Sequence, residues 1–156
     1  MTQNKTERDT SFTPPILAIA GEIINKGYGV IYGSAQNLLA RLEKEKFSYS
    51  NQEEEQSYLS LVLECDLLIL DDLGTEFLSQ FVTSMIYNII NTRLLEGRPT
   101  IISTNLDFNG ISNRYEERIT SRIYANYSIL RFVGQDVRIM KAQQAFRKEK
   151  ERGNRP

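Results

Sequence analysis

Leu67–Leu70 place four aliphatic residues in a row directly ahead of Asp71 and Asp72, in the stretch LLILDDLG. A continuous apolar run of this kind, closed by a turn signal, marks a strand buried on both faces, and such strands belong to parallel sheets. Ending it on two adjacent carboxylates is costly unless the charges find partners or have work to do.

The flanking sequence supplies the helices that a buried parallel strand requires. ILAIAGEIINKG has helical apolar spacing from Ile16 and a glycine stop at Gly27. YGVIYGS (28–34) is β-branched and aromatic and reads as a strand, and AQNLLARLEKEKF (35–47) as an amphipathic helix. SYSNQEEEQ (48–56) is a polar, acidic connection, and SYLSLVLE (57–64) a short helix leading into the strand 66–71. FLSQFVTSMIYNIINTRLLEG (77–97) has long helical periodicity and ends at Gly97. RPTIISTN (98–105) reads as another buried strand, NGISNRYEERITSRIYA (109–125) contains a helix, and YSILRF (127–132) is a last strand. Helices alternating with short apolar strands give an α/β fold, a parallel sheet with helices on both faces. Residues 1–15 read as a poorly ordered tail, 16–140 as the core, and 141–156 as a basic tail with Lys141, Arg147, Lys148, Lys150, Arg152 and Arg155 interleaved with Glu149 and Glu151.

Composition removes several kinds of chemistry. The chain has no histidine, so imidazole catalysis and the usual zinc sites are excluded. Cys65 is its one cysteine, which forbids an internal disulfide and reads as a core thiol. A net charge of -1 exerts no global pull on nucleic acid or on anionic membrane. No apolar run approaches the roughly 20 residues of a membrane helix. MTQNKTERDTSFTPP lacks the apolar core of a signal peptide, so a cytoplasmic chain without membrane association is expected.

Ligands of open parallel sheets bind beyond the C-terminal strand ends, where Asp71 and Asp72 stand. Alone, the pair also fits a helix cap or a turn. TIIST delivers Asn105 to the same edge, where it can orient a water or touch a phosphate, or simply form a turn. RYEERITSRI sets Arg118 and Arg122 four residues apart on one helix face, beside the apolar pair Ile119 and Ile123. Arginine suits planar recognition of phosphate oxygens, while the bland reading is a solvated face with Glu117 as partner.

Taken together, LLILDDLGTE, RPTIISTNL and RYEERITSRI resemble the bacterial replicative helicase loaders of the DnaC/DnaI type and the related IstB transposition ATPases, which are AAA+ proteins of the P-loop NTPase fold. The resemblance runs from about Leu17 to Arg138. It implies roles for single positions. Asp71 matches the Walker B aspartate, which holds Mg2+ through water, and Asp72 the residue that polarises the attacking water. Asn105 matches sensor 1, Arg122 an arginine finger acting on a neighbour's nucleotide, and Arg118 a supporting arginine. ATP and Mg2+ are then the cofactors. The partners are a replicative DNA helicase, single-stranded DNA and like subunits side by side. A finger used in this way should project from its own subunit, unpaired within it.

The resemblance also exposes a gap. No G-x-x-x-x-G-K-[ST] string, the phosphate cradle of a P-loop enzyme, occurs in the 156 residues; NKGYG has the order reversed. The family places that loop just before the helix that begins here near Ile16, after a strand in the middle of the sheet. The expectation is an incomplete AAA+ core, without the P-loop strand, that is defective in ATP hydrolysis as written. A non-enzymatic interaction module or fragment, and an IstB-like transposition helper ATPase, are the alternatives.

Overall fold

The computed structural model describes residues 13–47 and 57–131. Their elements, in chain order, are α1 (Thr13–Asn25), β1 (Val30–Ser34), α2 (Ala35–Phe47), α3 (Tyr58–Glu64), β2 (Leu67–Leu73), α4 (Gln80–Leu95), β3 (Thr100–Thr104), α5 (Phe108–Arg114) and α6 (Glu117–Asn126). The strands form one parallel sheet in the order β1-β2-β3. Ala18–Ile129 make one compact unit.

Local chemistry sets most of the boundaries. Ser57 caps α3 by accepting from the Ser60 amide at 3.1 Å, Ser79 caps α4 through the Val82 amide at 3.1 Å, and Asp107 caps α5 through the Gly110 amide at 2.7 Å. α1 starts three residues ahead of the expected core boundary at Ile16 and stops just before Gly27. The expected acidic connection 48–56, the basic tail 141–156 and the start of the chain lie outside the described residues.

β2 is the middle strand, which explains its unbroken apolar run. Leu68 and Leu70 enter the core shared with α2, α3, α4 and α6, while Leu67 and Ile69 alternate to the opposite face and are buried there as well. β3 is different. Its five residues are all only half-buried, so the expected buried strand is a half-covered one. A second expectation fails beside it: residues 127–131 carry no strand, and Ile129 is exposed. A strand persists only by sharing its amide and carbonyl ladder with a neighbour, and β3 is the last strand of the described sheet. The helix expected within 109–125 is two helices, broken at Tyr115, whose buried side chain is drawn to Glu76.

Arg93 ties the helices to the sheet. It occupies the core face of α4 in line with Val82, Ile86, Ile89 and Ile90, and is fully buried. Its Nη1 donates to the carbonyls of Val62, Leu63 and Cys65 at the end of α3 at 2.9, 2.9 and 3.0 Å. Its Nη2 donates to Pro99 O at 2.6 Å and its Nε to Thr100 Oγ1 at 2.8 Å. Burial pulls the guanidinium below its ordinary pKa, and the Cys65 thiol beside it pulls back the other way. Replacing Arg93 with Met should leave these carbonyls buried and unpaired, at about 1–3 kcal/mol for each polar group stranded. A fall in the urea midpoint at unchanged m-value, only partly restored by Arg93→Lys, is the expected result.

Candidate functional site

The two aspartates stand at an irregularity of the sheet. Leu70 pairs with Ile102 and Leu73 with Thr104, so Asp71 and Asp72 together oppose the single residue Ser103. This is a β-bulge, a device that re-aims side chains at the end of a strand. Asp72 adopts φ 55, a left-handed conformation that aspartate tolerates better than most residues. Its amide donates to Ser103 Oγ at 2.9 Å, and Ser103 Oγ in turn donates to Asp71 Oδ1.

Asp71 is buried, and both its oxygens are engaged. Oδ2 accepts from the Tyr32 hydroxyl at 2.7 Å. Parallel register explains the reach: Tyr32 of β1 pairs with Ile69, two residues before Asp71 and on the same face of the sheet. Burial, then the hydrogen bond and charge of Asp71, push the Tyr32 phenol up to about 12, so it remains a donor at neutral pH. Asn105 follows β3 and its Nδ2 donates to Asp72 Oδ1 at 3.3 Å. Asp71, Asp72 and Asn105 are thus brought together at the C-terminal edge of one parallel sheet.

The loop after the bulge is pinned. Gly74 has φ 110, and a Cβ there would meet Leu106 Cδ1 at 2.7 Å. The Gly74 amide donates to Glu76 Oε2 at 2.8 Å. Glu76 is itself buried and accepts from the Tyr115 hydroxyl and from Arg114 Nε at 3.4 Å. Burial, followed by Glu76, raises the Tyr115 phenol. Ser103, Tyr32 and Glu76 were not among the expected site residues. The hydroxyl-rich end of TIIST and the tyrosine in YGVIYGS were the available signals for the first two.

Arg118 and Arg122 lie on α6, packed against α4. Arg122 contradicts the expectation of a projecting, unpaired side chain. Its Nε donates to Asn91 Oδ1 at 2.7 Å, its Nη2 to the Tyr87 hydroxyl at 2.9 Å and its Nη1 to Arg118 O at 2.8 Å. Ile119 and Ile123, buried against the core, turn the intervening face toward α4, where these polar groups wait. Both guanidinium groups lie over the Tyr87 ring, Arg118 at 4.8 Å and Arg122 at 4.5 Å from its centroid. Arg118 pairs with Glu116 at 2.7 Å, and that exposed pair is of the kind that adds little stability.

The sequence pattern of the IstB-like ATP binding proteins matches residues 13–145. The chain belongs to this family. The replicative helicase loaders DnaC of Buchnera aphidicola subsp. Baizongia pistaciae and of Escherichia coli strain K12 are each 27% identical to it over 112 residues, 72% of this chain and 45% of theirs. The IstB-like chain therefore spans less than half the length of these curated relatives. The crystal structure of the DnaC helicase loader superposes with a TM-score of 0.62 at 26% identity, over 75% of this chain and 68% of that one. The crystal structure of a DNA replication initiation factor gives 0.64 at 25% identity, over 89% and 42% respectively. The parallel sheet and its helices are those of the AAA+ type of P-loop NTPase fold.

Two stability measurements check this geometry. Gly74→Ala should cost about 2 kcal/mol, from a strained φ and a clash with Leu106, and lower the melting temperature accordingly. Arg122→Ala should cost about 1 kcal/mol through its lost hydrogen bonds and ring contact, where a freely projecting arginine would cost almost nothing.

Proposed function

We propose that this chain carries the water-activating half of an ATP site in a helicase-loader-like AAA+ domain. The observation that supports it most is the bulge itself, which sets two carboxylates, an asparagine amide and a serine hydroxyl at the C-terminal end of the middle strand. In this reading Asp72 polarises the attacking water, and Asn105, already bonded to Asp72, orients it. Asp71 takes the metal side.

The donors suit Mg2+, a hard cation usually held by one or two carboxylates together with substrate phosphates. Among the described residues no group of three or more metal-ligating side chains forms an all-protein cage, so the protein alone would hold the ion weakly, at Asp71, and the nucleotide's phosphates would complete its coordination. Asp71 would hold it through water, and Mg2+ would neutralise charge on the phosphates. Phosphoryl transfer of this kind depends on positioning and charge stabilisation, and an arginine finger can contribute about 10³–10⁵ in rate. Arg122, supported by Arg118, would supply it to nucleotide on a like subunit alongside. Three of its five N–H donors are engaged within its own domain, so two remain for phosphate oxygens.

By likeness to the DnaC loaders, the partners would be a replicative DNA helicase and single-stranded DNA, and the setting the cytoplasm. Among the described residues no helix is long and apolar enough to cross a membrane. The family match favours one second reading, an IstB-like transposition helper ATPase with the same site chemistry.

These 156 residues contain no phosphate-cradling G-x-x-x-x-G-K-[ST] string. The chain alone should therefore release little or no phosphate from ATP and Mg2+. Mixed with an intact DnaC-type loader whose own finger arginine has been removed, it should restore turnover, and its Arg122→Ala variant should not. Robust turnover by the chain alone that vanishes in Asp72→Asn would overturn the view that it is half a site. Failure of the mixture to gain any activity would remove the role given to Arg122.

A further inference from the structure

We propose that Tyr32 is a positioning residue for Asp71: its hydroxyl and that of Ser103 clamp the carboxylate by opposite oxygens, so that Asp71 meets a hydrated divalent cation already oriented. This rests on the ATP-site reading above and adds to it a residue from β1. Asp71 is 5% exposed, and a carboxylate so buried must be hydrogen-bonded. The partners, however, are unequal. Ser103 lies inside the bulge and is tied to the Asp72 amide as well, so it belongs to the backbone geometry. Tyr32 has no such second duty among its hydrogen bonds.

Its surroundings point the same way. Tyr32 is 42% exposed and is the one exposed residue of β1, flanked by half-buried positions on either side. A tyrosine kept for packing would bury its ring. Here much of the ring stays in solvent, while its tip is delivered to Asp71 Oδ2 at 2.7 Å. Each carboxylate oxygen can accept a second hydrogen bond, so the clamp leaves acceptor capacity for a metal-bound water. Removing the groups that orient a metal-binding side chain commonly costs about 10–100-fold in affinity.

The test uses the 156-residue chain with Mn2+ as probe, followed by the electron paramagnetic resonance of the free ion. The wild type should bind, and Asp71→Asn should not. Tyr32→Phe keeps the ring and should weaken binding about tenfold, the lower end of that range, while its urea midpoint falls only by the loss of one hydrogen bond to a carboxylate that keeps Ser103. Titration with Mg2+ should also give a near-ultraviolet tyrosine difference spectrum that is absent from Tyr32→Phe. Unchanged Mn2+ affinity in Tyr32→Phe, with binding still lost in Asp71→Asn, would overturn the role of Tyr32 and leave the ATP-site reading standing. Tighter binding would show that the hydroxyl competes with the cation, which also overturns it. A large drop in the urea midpoint with affinity intact would make Tyr32 structural. No Mn2+ binding by the wild type would remove the ATP-site reading and this proposal together.

Discussion

The buried guanidinium of Arg93 is the constraint on which the rest of the domain depends. It gathers the last carbonyls of α3, which lead into β2, and the residues Pro99 and Thr100, which open β3. The starts of two neighbouring strands are thereby fixed to one rigid, planar group. Parallel strands have no hairpin turn to set their register, so some other feature has to do so. With Leu68 N bonded to Pro99 O and Leu68 aligned with Thr100, the ladder runs in step to Leu70 and Ile102. Three residues beyond that start, Asp71 meets Ser103. A slip of one residue would bring a different side chain to Asp71 and turn β3's faces over. The chemistry at the C-terminal edge is thus decided by a side chain at the N-terminal edge.

The upper end of β2 departs from regularity where the carboxylates stand. Regular alternation would keep Asp71 and Asp72 on opposite faces and in the ladder. The bulge breaks that pattern, at a cost of about 1–2 kcal/mol for a left-handed Asp72. The surroundings over-determine the conformation. Ser103 holds the Asp72 amide, Thr75 bonds back to Asp72 O through both its amide and its hydroxyl, and Gly74 is fitted against Leu106. Buried Glu76 anchors the far side of the loop to Tyr115 and Arg114 at the end of α5. Strain retained by so many converging contacts is the pattern found where geometry serves a site.

Much of this was legible beforehand, and the failures share a cause. The spans 35–47 and 57–64, the strand ahead of Asp71, and the stops at Gly27 and Gly97 follow from periodicity, capping and glycine, which act over a few residues. What local pattern could not give was the neighbour. YSILRF has the composition of a strand, yet among the described residues no adjacent strand completes a ladder for 127–131. RPTIISTN is apolar enough to be buried, yet it is the last described strand of its sheet and stays half-covered. Arg93 carries a clear signal of its own in the sequence: an arginine on the core stripe of Val82, Ile86, Ile89 and Ile90 must find acceptors inside. The shared place of Asp71, Asp72 and Asn105 at one sheet edge was legible because strand ends are marked in sequence. Tyr32 and Ser103 were not, because their place beside Asp71 depends on register.

The packing of Arg122 changes how an arginine on α6 can be understood. A long side chain projecting freely must surrender its rotamer freedom whenever it binds, a cost on the order of 0.5–1.5 kcal/mol for each such residue. Here Asn91, the Tyr87 hydroxyl and the Arg118 carbonyl have already fixed the guanidinium, and the Tyr87 ring supports it together with that of Arg118. The ordering is paid during folding, by contacts between α4 and α6, and any phosphate presented to the remaining N–H groups meets a donor set that is in place. Such preorganisation counts for most where charge develops only in the transition state. Being held within its own domain and acting on a neighbour's nucleotide are therefore compatible properties, provided that the neighbour approaches along the face of α6 that carries Tyr87 and the two arginines.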